Sequence, residues 1–169
     1  MIFVSAEEVH RICAWDALIA ALEKAHRGEK PLVERATIQW DRDGARETYF
    51  NLPAALPGVA MGTKIVTVLP NNPNGAKKIP AVQALYTLFD GGDGAPVAVL
   101  DATAMTYRKT AADSGLGAKL LAPPSPQVLL MVGAGDLSPY LAAAHRAARP
   151  SIRKMLVWNR SPAKAKVMV

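Results

Sequence analysis

The sequence predicts an α/β chain in two parts, and three observations carry that reading. Apolar residues recur at helical spacing near the start, closely spaced strand-like runs follow, and a proline-rich break then leads into a strand, a glycine turn and a helix. The first part reads as an α+β unit with a mainly antiparallel sheet. The second reads as the start of a Rossmann-type unit, cut short.

Met1 to Val4 is a short strand, and Ser5 with Glu8 forms the Ser-x-x-Glu capping box of a helix reaching about Trp15. Asp16 is placed to cap a second helix, in which Leu18, Ile19, Leu22 and Ala25 make a buried stripe up to Gly28. The period then shortens. Ala36 to Trp40, Glu47 to Leu52, Val59 to Leu69, Val82 to Phe89 and Val97 to Leu100 read as strands, divided by Asp-Gly, Pro-Gly, Asn-Pro-Asn-Gly and Gly-Gly-Asp-Gly turns. Such short connections join antiparallel neighbours. From Ala104 to Leu121 the pattern is helical and rich in small residues, and Pro123, Pro124 and Pro126 end it with a stiff linker. Residues 1–122 and 123–169 are the two expected domains.

The apolar run Gln127 to Val132 leads into Gly133-Ala134-Gly135-Asp136-Leu137-Ser138 and a helix from about Leu137. By itself Gly-Ala-Gly marks any tight turn. Here Gly133 suits the strand-to-helix turn, Gly135 lets backbone approach phosphate oxygens, and the helix start offers unpaired N–H groups and a positive dipole end. The third position of the usual pattern is Ser138, small enough for close helix–strand packing. Ile152 to Trp158 falls where a second parallel strand belongs, which makes the unit a candidate dinucleotide cradle. A complete domain of that kind needs further strands and helices, so the sequence reads as the front half of an oxidoreductase.

The end of that second strand bears on the cofactor. An acidic residue there would suit the ribose hydroxyls of NAD(H), whereas this chain has Asn159, Arg160 and Ser161. An amide, a guanidinium and a hydroxyl suit a 2′-phosphate, which favours NADP(H) over NAD(H). The alternative for Arg160 is a solvated charge beside a turn.

Half of the 169 residues are hydrophobic, enough for a real core. The single Cys13, read as part of the N-terminal helix, allows no internal disulfide and points to a reducing, cytoplasmic compartment. It reads as a small core residue and not a nucleophile. No apolar span is long enough for a membrane helix, and Met1 to Glu8 lacks the pattern of a secretory signal. The net charge of +6 is spread along the chain without a basic, aromatic-interleaved run, which argues for anionic small molecules and against nucleic acid. His10, His26 and His145 lack the spacing of a metal site.

Gly62-Thr63-Lys64-Ile65-Val66 with Asn71-Asn72-Pro73, then Pro96 to Asp101, Met105-Thr106, Thr110-Ala111-Ala112-Asp113-Ser114 and Val132-Gly133-Ala134-Gly135 form an ordered series. That series resembles the ornithine cyclodeaminase/mu-crystallin family from about Arg35 to Arg160. The resemblance implies a two-domain subunit of roughly twice this length. Its first domain binds substrate and forms a homodimer, and its second binds a nicotinamide cofactor.

The resemblance also implies a substrate pocket for a small amino or imino acid. Its early arginine matches Arg35 and its pocket lysine matches Lys64, the residue expected to act in catalysis. The arginine directly before Thr-Ala-Ala falls at Lys109, with Arg108 one residue earlier. Arginine and lysine are not equivalent at a bidentate carboxylate site, so either Lys109 supplies a point charge or a local shift brings Arg108 into place. Thr110 is implied on the cofactor side, with Gly133, Ala134, Gly135, Asp136, Leu137 and Ser138. The family's proton-handling aspartate lies in the part expected to follow this sequence; Asp101 and Asp113 read as turn and helix-end residues.

Members that cyclise ornithine to proline with loss of ammonia carry a glutamate just upstream of a Met-Pro step. The corresponding stretch here is Phe50-Asn51-Leu52-Pro53, without the glutamate. The resemblance therefore favours an NADPH-dependent reductase of cyclic ketimine acids of the pyrroline-2-carboxylate type. An NAD-dependent ornithine cyclodeaminase and an alanine dehydrogenase-like enzyme remain open, as does a non-catalytic dimerising or ligand-binding fragment.

Overall fold

The strand-like runs assemble into one seven-stranded sheet in the computed structural model, which describes residues 1–168. Its strands are β1 (Ile2–Val4), β2 (Leu32–Val33), β3 (Ala36–Arg42), β4 (Ala45–Leu56), β5 (Ala60–Val68), β6 (Val82–Asp90) and β7 (Pro96–Asp101). The order is β1-β7-β6-β5-β4-β2, with β3 also on β4. All pairings are antiparallel except β1 with β7. The chain divides into two compact units, Met1–Arg11 with Glu29–Met105, and Ile12–Gly28 with Thr106–Val169. Val169, the last residue of the second expected domain, lies outside the described residues.

Turn chemistry sets the register of the first unit. Asp43 and Gly44 both take positive φ (51° and 72°), the conformation a two-residue hairpin needs to follow the twist of its strands, and Arg42 pairs with Ala45. Gly58 (φ 74°) turns β4 into β5 so that Leu56 pairs with Ala60. β4 is longer than the expected Glu47 to Leu52 and runs through Pro53. The missing N–H of Pro53 does no harm because it falls in the gap where β2 ends opposite Ala54 and β3 begins opposite Asn51; there the Pro53 carbonyl still accepts from Glu34 N–H at 3.1 Å, while on its other side Pro53 pairs with Thr63 of β5. β2, absent from the sequence reading, has only two residues and so shows no alternation.

A buried carboxylate clamps β3 to β4. Glu47 is 2% exposed, and Trp40, its register partner, donates from Nε1 to Oε2 at 2.6 Å. Arg42 donates from Nε and Nη2 to Oε1 at 3.0 and 2.7 Å. Charge-assisted bonds offset the desolvation of the carboxylate.

Helices α1 (Ala6–Ile12), α2 (Trp15–Arg27) and α3 (Ala102–Leu121) precede the parallel pair β8 (Val128–Val132) and β9 (Lys154–Trp158), which flank α4 (Ser138–Ala148); α5 (Pro162–Met168) follows. The capping box forms as read: Ser5 N–H and Oγ donate to Glu8 Oε2 at 2.8 and 3.0 Å, and Glu8 N–H donates to Ser5 Oγ at 3.3 Å. The residues after it differ from the expectation in two places. The first helix stops at Ile12, so Cys13 lies in a break, where its carbonyl accepts from Arg108 Nε at 2.8 Å. Asp16 does not cap α2, because Ala14 holds that position without a side-chain bond and Asp16 falls in the first turn. Within the second unit, Ile19, Ala112 and Leu116 form a core against Trp15, Leu18, Leu22 and Ala148. A Cβ at Gly115 would come within 3.0 Å of the Ala144 carbonyl and 3.1 Å of Ile19 Cδ1, tighter than an ordinary contact, so the glycine eases this approach of α3 to α4.

Glu47→Ala strips the partners from the Trp40 indole and lowers unfolding free energy by about 2 kcal/mol in denaturant titration. The Glu23 carboxyl is held below the ordinary carboxylate range by the Lys119 ammonium, which donates to it at 2.8 Å. A depressed carboxyl stabilises fully above its unfolded pKa, and the contribution is lost as pH falls through the folded value. Glu23→Gln is therefore expected to lose less stability than the parent as pH falls below about 5.

Candidate functional site

The glycine turn of the second unit is built by backbone geometry. Gly133 takes φ 121°, a region L side chains rarely enter, and its N–H donates to the Trp158 carbonyl at 2.8 Å, joining the ends of β8 and β9. Ser138, expected only to be small, is the hub of the turn. It is 7% exposed, its Oγ accepts from Gly135 N–H at 3.0 Å and donates to the Gly133 carbonyl at 3.3 Å, and its own N–H donates to the Gly135 carbonyl at 2.9 Å. Asn159 reaches back from the end of β9, where its Oδ1 accepts from Ala134 N–H at 3.2 Å and its Nδ2 donates to the Ser161 carbonyl at 2.9 Å. Asn159 thus ties the second strand to the turn. Arg160 and Ser161 beside it are exposed.

Among the described residues, the N–H groups of Asp136 and Leu137 keep no hydrogen-bond partner at the start of α4. These two amides and the helix dipole are what the turn offers an anion. Tyr107 and Tyr140 stack with ring centroids 4.9 Å apart, a pair that sequence reading did not find. Burial first, and then the Asp136 carboxylate, push the Tyr107 phenol above its ordinary pKa.

The expected cations divide between the units. Arg35 and Lys64 lie in the first, Arg108, Lys109 and Thr110 in the second. Arg35 is exposed in the two-residue gap between β2 and β3. Lys64 sits mid-strand on β5 with Leu52 opposite on β4 and Tyr86 opposite on β6; Tyr86 in turn faces Leu100, and Leu100 faces Val4. Directly opposed residues share a face, so Lys64 is the cation in a row that is otherwise aromatic and aliphatic. Among the described residues its ammonium has no ion-pair partner.

Arg108 and Lys109 are engaged inside the second unit. The Arg108 guanidinium lies 3.8 Å from the centre of the Trp15 ring and donates from both Nε and Nη2 to the Cys13 carbonyl. Burial lowers its pKa from the arginine value. Lys109 is ion-paired with Asp113 one helical turn on, and Thr110 is exposed. Asn51, in the stretch where a glutamate was sought, accepts a hydrogen bond from the Thr63 hydroxyl. A groove of about 650 Å³ on the first unit is lined by Leu32, Val33, Pro53, Met61 and Phe89 among others, and neither Arg35 nor Lys64 lines it. Among the described residues no cluster of three His, Cys, Asp or Glu side chains could hold a metal. No helix there is long and apolar enough to cross a membrane.

The model of the ornithine cyclodeaminase/mu-crystallin family matches residues 2–169. The chain belongs to this family. A Delta(1)-pyrroline-2-carboxylate reductase of Paracoccus denitrificans is 39% identical over 122 residues, 72% of this chain and 38% of that one. One of Colwellia psychrerythraea is 30% identical over 173 residues, covering 100% of this chain and 53% of that one. Among solved structures, Thermococcus litoralis Delta(1)-pyrroline-2-carboxylate reductase in complex with NADH and L-proline superposes with a TM-score of 0.82 at 26% identity, over 99% of this chain and 52% of that one. An archaeal alanine dehydrogenase dimer with bound NAD gives 0.83 at 28% identity, over 99% and 51%. The chain spans about a third to about half the length of the curated relatives it matches.

The two glycines are expected to respond differently to a methyl group. Gly133→Ala forces a side chain into positive φ and costs about 1–3 kcal/mol of stability in denaturant titration. Gly135→Ala meets nothing within 4 Å, so its unfolding midpoint is expected to stay with the parent.

Proposed function

We propose that this chain contributes the substrate-anchoring and cofactor-cradling elements of a nicotinamide-dependent reductase of cyclic ketimine acids, of the pyrroline-2-carboxylate type. The observation that carries the reading is the Colwellia reductase, to which the chain is similar over its whole length. The Lys64 ammonium, without an ion-pair partner among the described residues and in a row of aromatic and aliphatic residues, supports it. Such a group attracts a carboxylate and holds the adjacent C=N carbon in a fixed orientation, which removes part of the entropic barrier. Arg35 is proposed as a second cation for the same carboxylate. Arg108 and Lys109 are proposed to support the helix that carries Thr110, since each already has an internal partner.

Bound nicotinamide dinucleotide supplies the hydride. The residues present suit its pyrophosphate at the free N–H groups of Asp136 and Leu137, with Gly135 open to close approach. Gly133, Ala134, Ser138 and Asn159 keep the turn in shape. We further propose NADP(H) over NAD(H), on the strength of the exposed Arg160 and Ser161 and the lack of an acidic residue at the end of β9. NADH and NAD in the solved relatives support the dinucleotide class. In the same proposal residues 1–122 bind substrate and form the homodimer, residues 123–169 begin the cofactor domain, and the free Cys13 suits a cytoplasmic setting.

Titration calorimetry tests the cofactor half. Arg160→Ala is expected to weaken NADPH about ten-fold or more while leaving NADH little changed, since a phosphate–guanidinium pair is worth about 1.5–3 kcal/mol. An equal loss with both cofactors would assign Arg160 to the fold. Gly135→Ala is expected to weaken both.

A further inference from the structure

A lysine alone fixes only one point of a carboxylate. The ring attached to that carboxylate would remain free to swing about the contact, and a hydride acceptor must present one carbon. A second donor on a strand beside Lys64 would stop that swing; the proposed Arg35 stands in the gap between β2 and β3 and not on β4 or β6, and the two cations expected from α3 are held by Asp113 and by the Cys13 carbonyl.

Tyr86 has the geometry to fill that role. It is the register partner of Lys64 on β6, and its ring end lies over Gly62, the next residue on the same face of β5. A Cβ at Gly62 would collide with the Tyr86 hydroxyl and come within 2.7 Å of its Cζ, so the glycine makes room for the phenol. Successive same-face residues on a strand are about 7 Å apart. A flexible lysine stem spans that gap easily, so the ammonium and the hydroxyl can meet the two oxygens of one carboxylate. The hydroxyl makes no hydrogen bond among the described residues and retains its donor capacity. Half-burial raises the phenol's pKa, which keeps the group protonated across the neutral range.

We infer that Tyr86 is a substrate-binding residue of the Lys64 site, donating its phenol hydrogen to the second oxygen of the substrate carboxylate. This rests on the proposed ketimine-acid reading. Leu52, on the other side of Lys64 in the same row, has no donor, so the two carboxylate oxygens are read asymmetrically and the ring takes one orientation.

The test uses pyrrole-2-carboxylate, a flat five-membered ring acid that cannot accept hydride, titrated by calorimetry into the 169-residue chain and its variants. Tyr86→Phe is expected to lose about ten-fold in affinity, as removal of a charge-assisted hydrogen bond predicts, with an unchanged thermal midpoint. Lys64→Ala is expected to lose at least as much. Pyrrole-2-carboxamide, which carries no charge, is expected to bind the parent and Tyr86→Phe with a much smaller difference. Parent-like affinity for the acid in Tyr86→Phe, with Lys64→Ala weakened, overturns the role of Tyr86 and leaves the pocket standing. Equal affinity in all three overturns the Lys64 pocket itself, and the role of Tyr86 with it.

Discussion

The register between β4 and β5 is the constraint on which the candidate chemistry depends. Nine residue pairs, from Thr48 with Val68 to Leu56 with Ala60, decide which face each side chain meets. A slip of one residue would move Lys64 to the opposite face and bring Thr63 or Ile65 into its row. The slip is opposed by the short turn after β4, and β4 itself is held in place at its start. Gly58 closes the β5 turn at positive φ, and the Asp43-Gly44 hairpin with the Glu47 clamp holds β4 against β3. A buried carboxylate thus fixes β4, the strand against which Lys64's strand is registered, to its other neighbour.

In the second unit the same economy appears in a smaller space. A Rossmann-type turn is usually described by what its glycines leave open, yet here most of its polar groups are already spoken for by Ser138, Asn159 and the Trp158 carbonyl. The closure makes the turn rigid before any ligand arrives, which lowers the ordering cost of binding. It also confines the anion to two amides beside the Asp136 carboxylate, a like charge that opposes phosphate. Arg108 follows the same pattern: stacked on Trp15 and bonded to the Cys13 carbonyl, it stabilises the break between α1 and α2.

Much of this was legible in the sequence where local chemistry decides the outcome. Asp43-Gly44, the Ser5 and Glu8 box, the proline break and the period-two strands each act over a few residues, and each formed where its residues predict. β2 was hidden because two residues carry no period. The extension of β4 through Pro53 was hidden because a proline is harmless only if its neighbour strand has a gap there, a tertiary fact. At the site, residue types were readable and their availability was not. Arg108 bonds to a carbonyl 95 positions away, and no local pattern announces such a partner. Tyr86 was missed for the same reason, although counting the register outward from the Gly58 turn and on to β6 sets it opposite Lys64.

The most direct measurement is a map of backbone amide shifts by nuclear magnetic resonance as L-proline is added to the ¹⁵N-labelled chain, with L-prolinamide as the control. Binding at the Lys64 row predicts perturbations centred on Leu52, Lys64 and Tyr86 with the acid, much weaker with the amide. Perturbations centred on the groove of Leu32, Val33, Met61 and Phe89, or identical maps for acid and amide, would contradict a carboxylate anchored by Lys64.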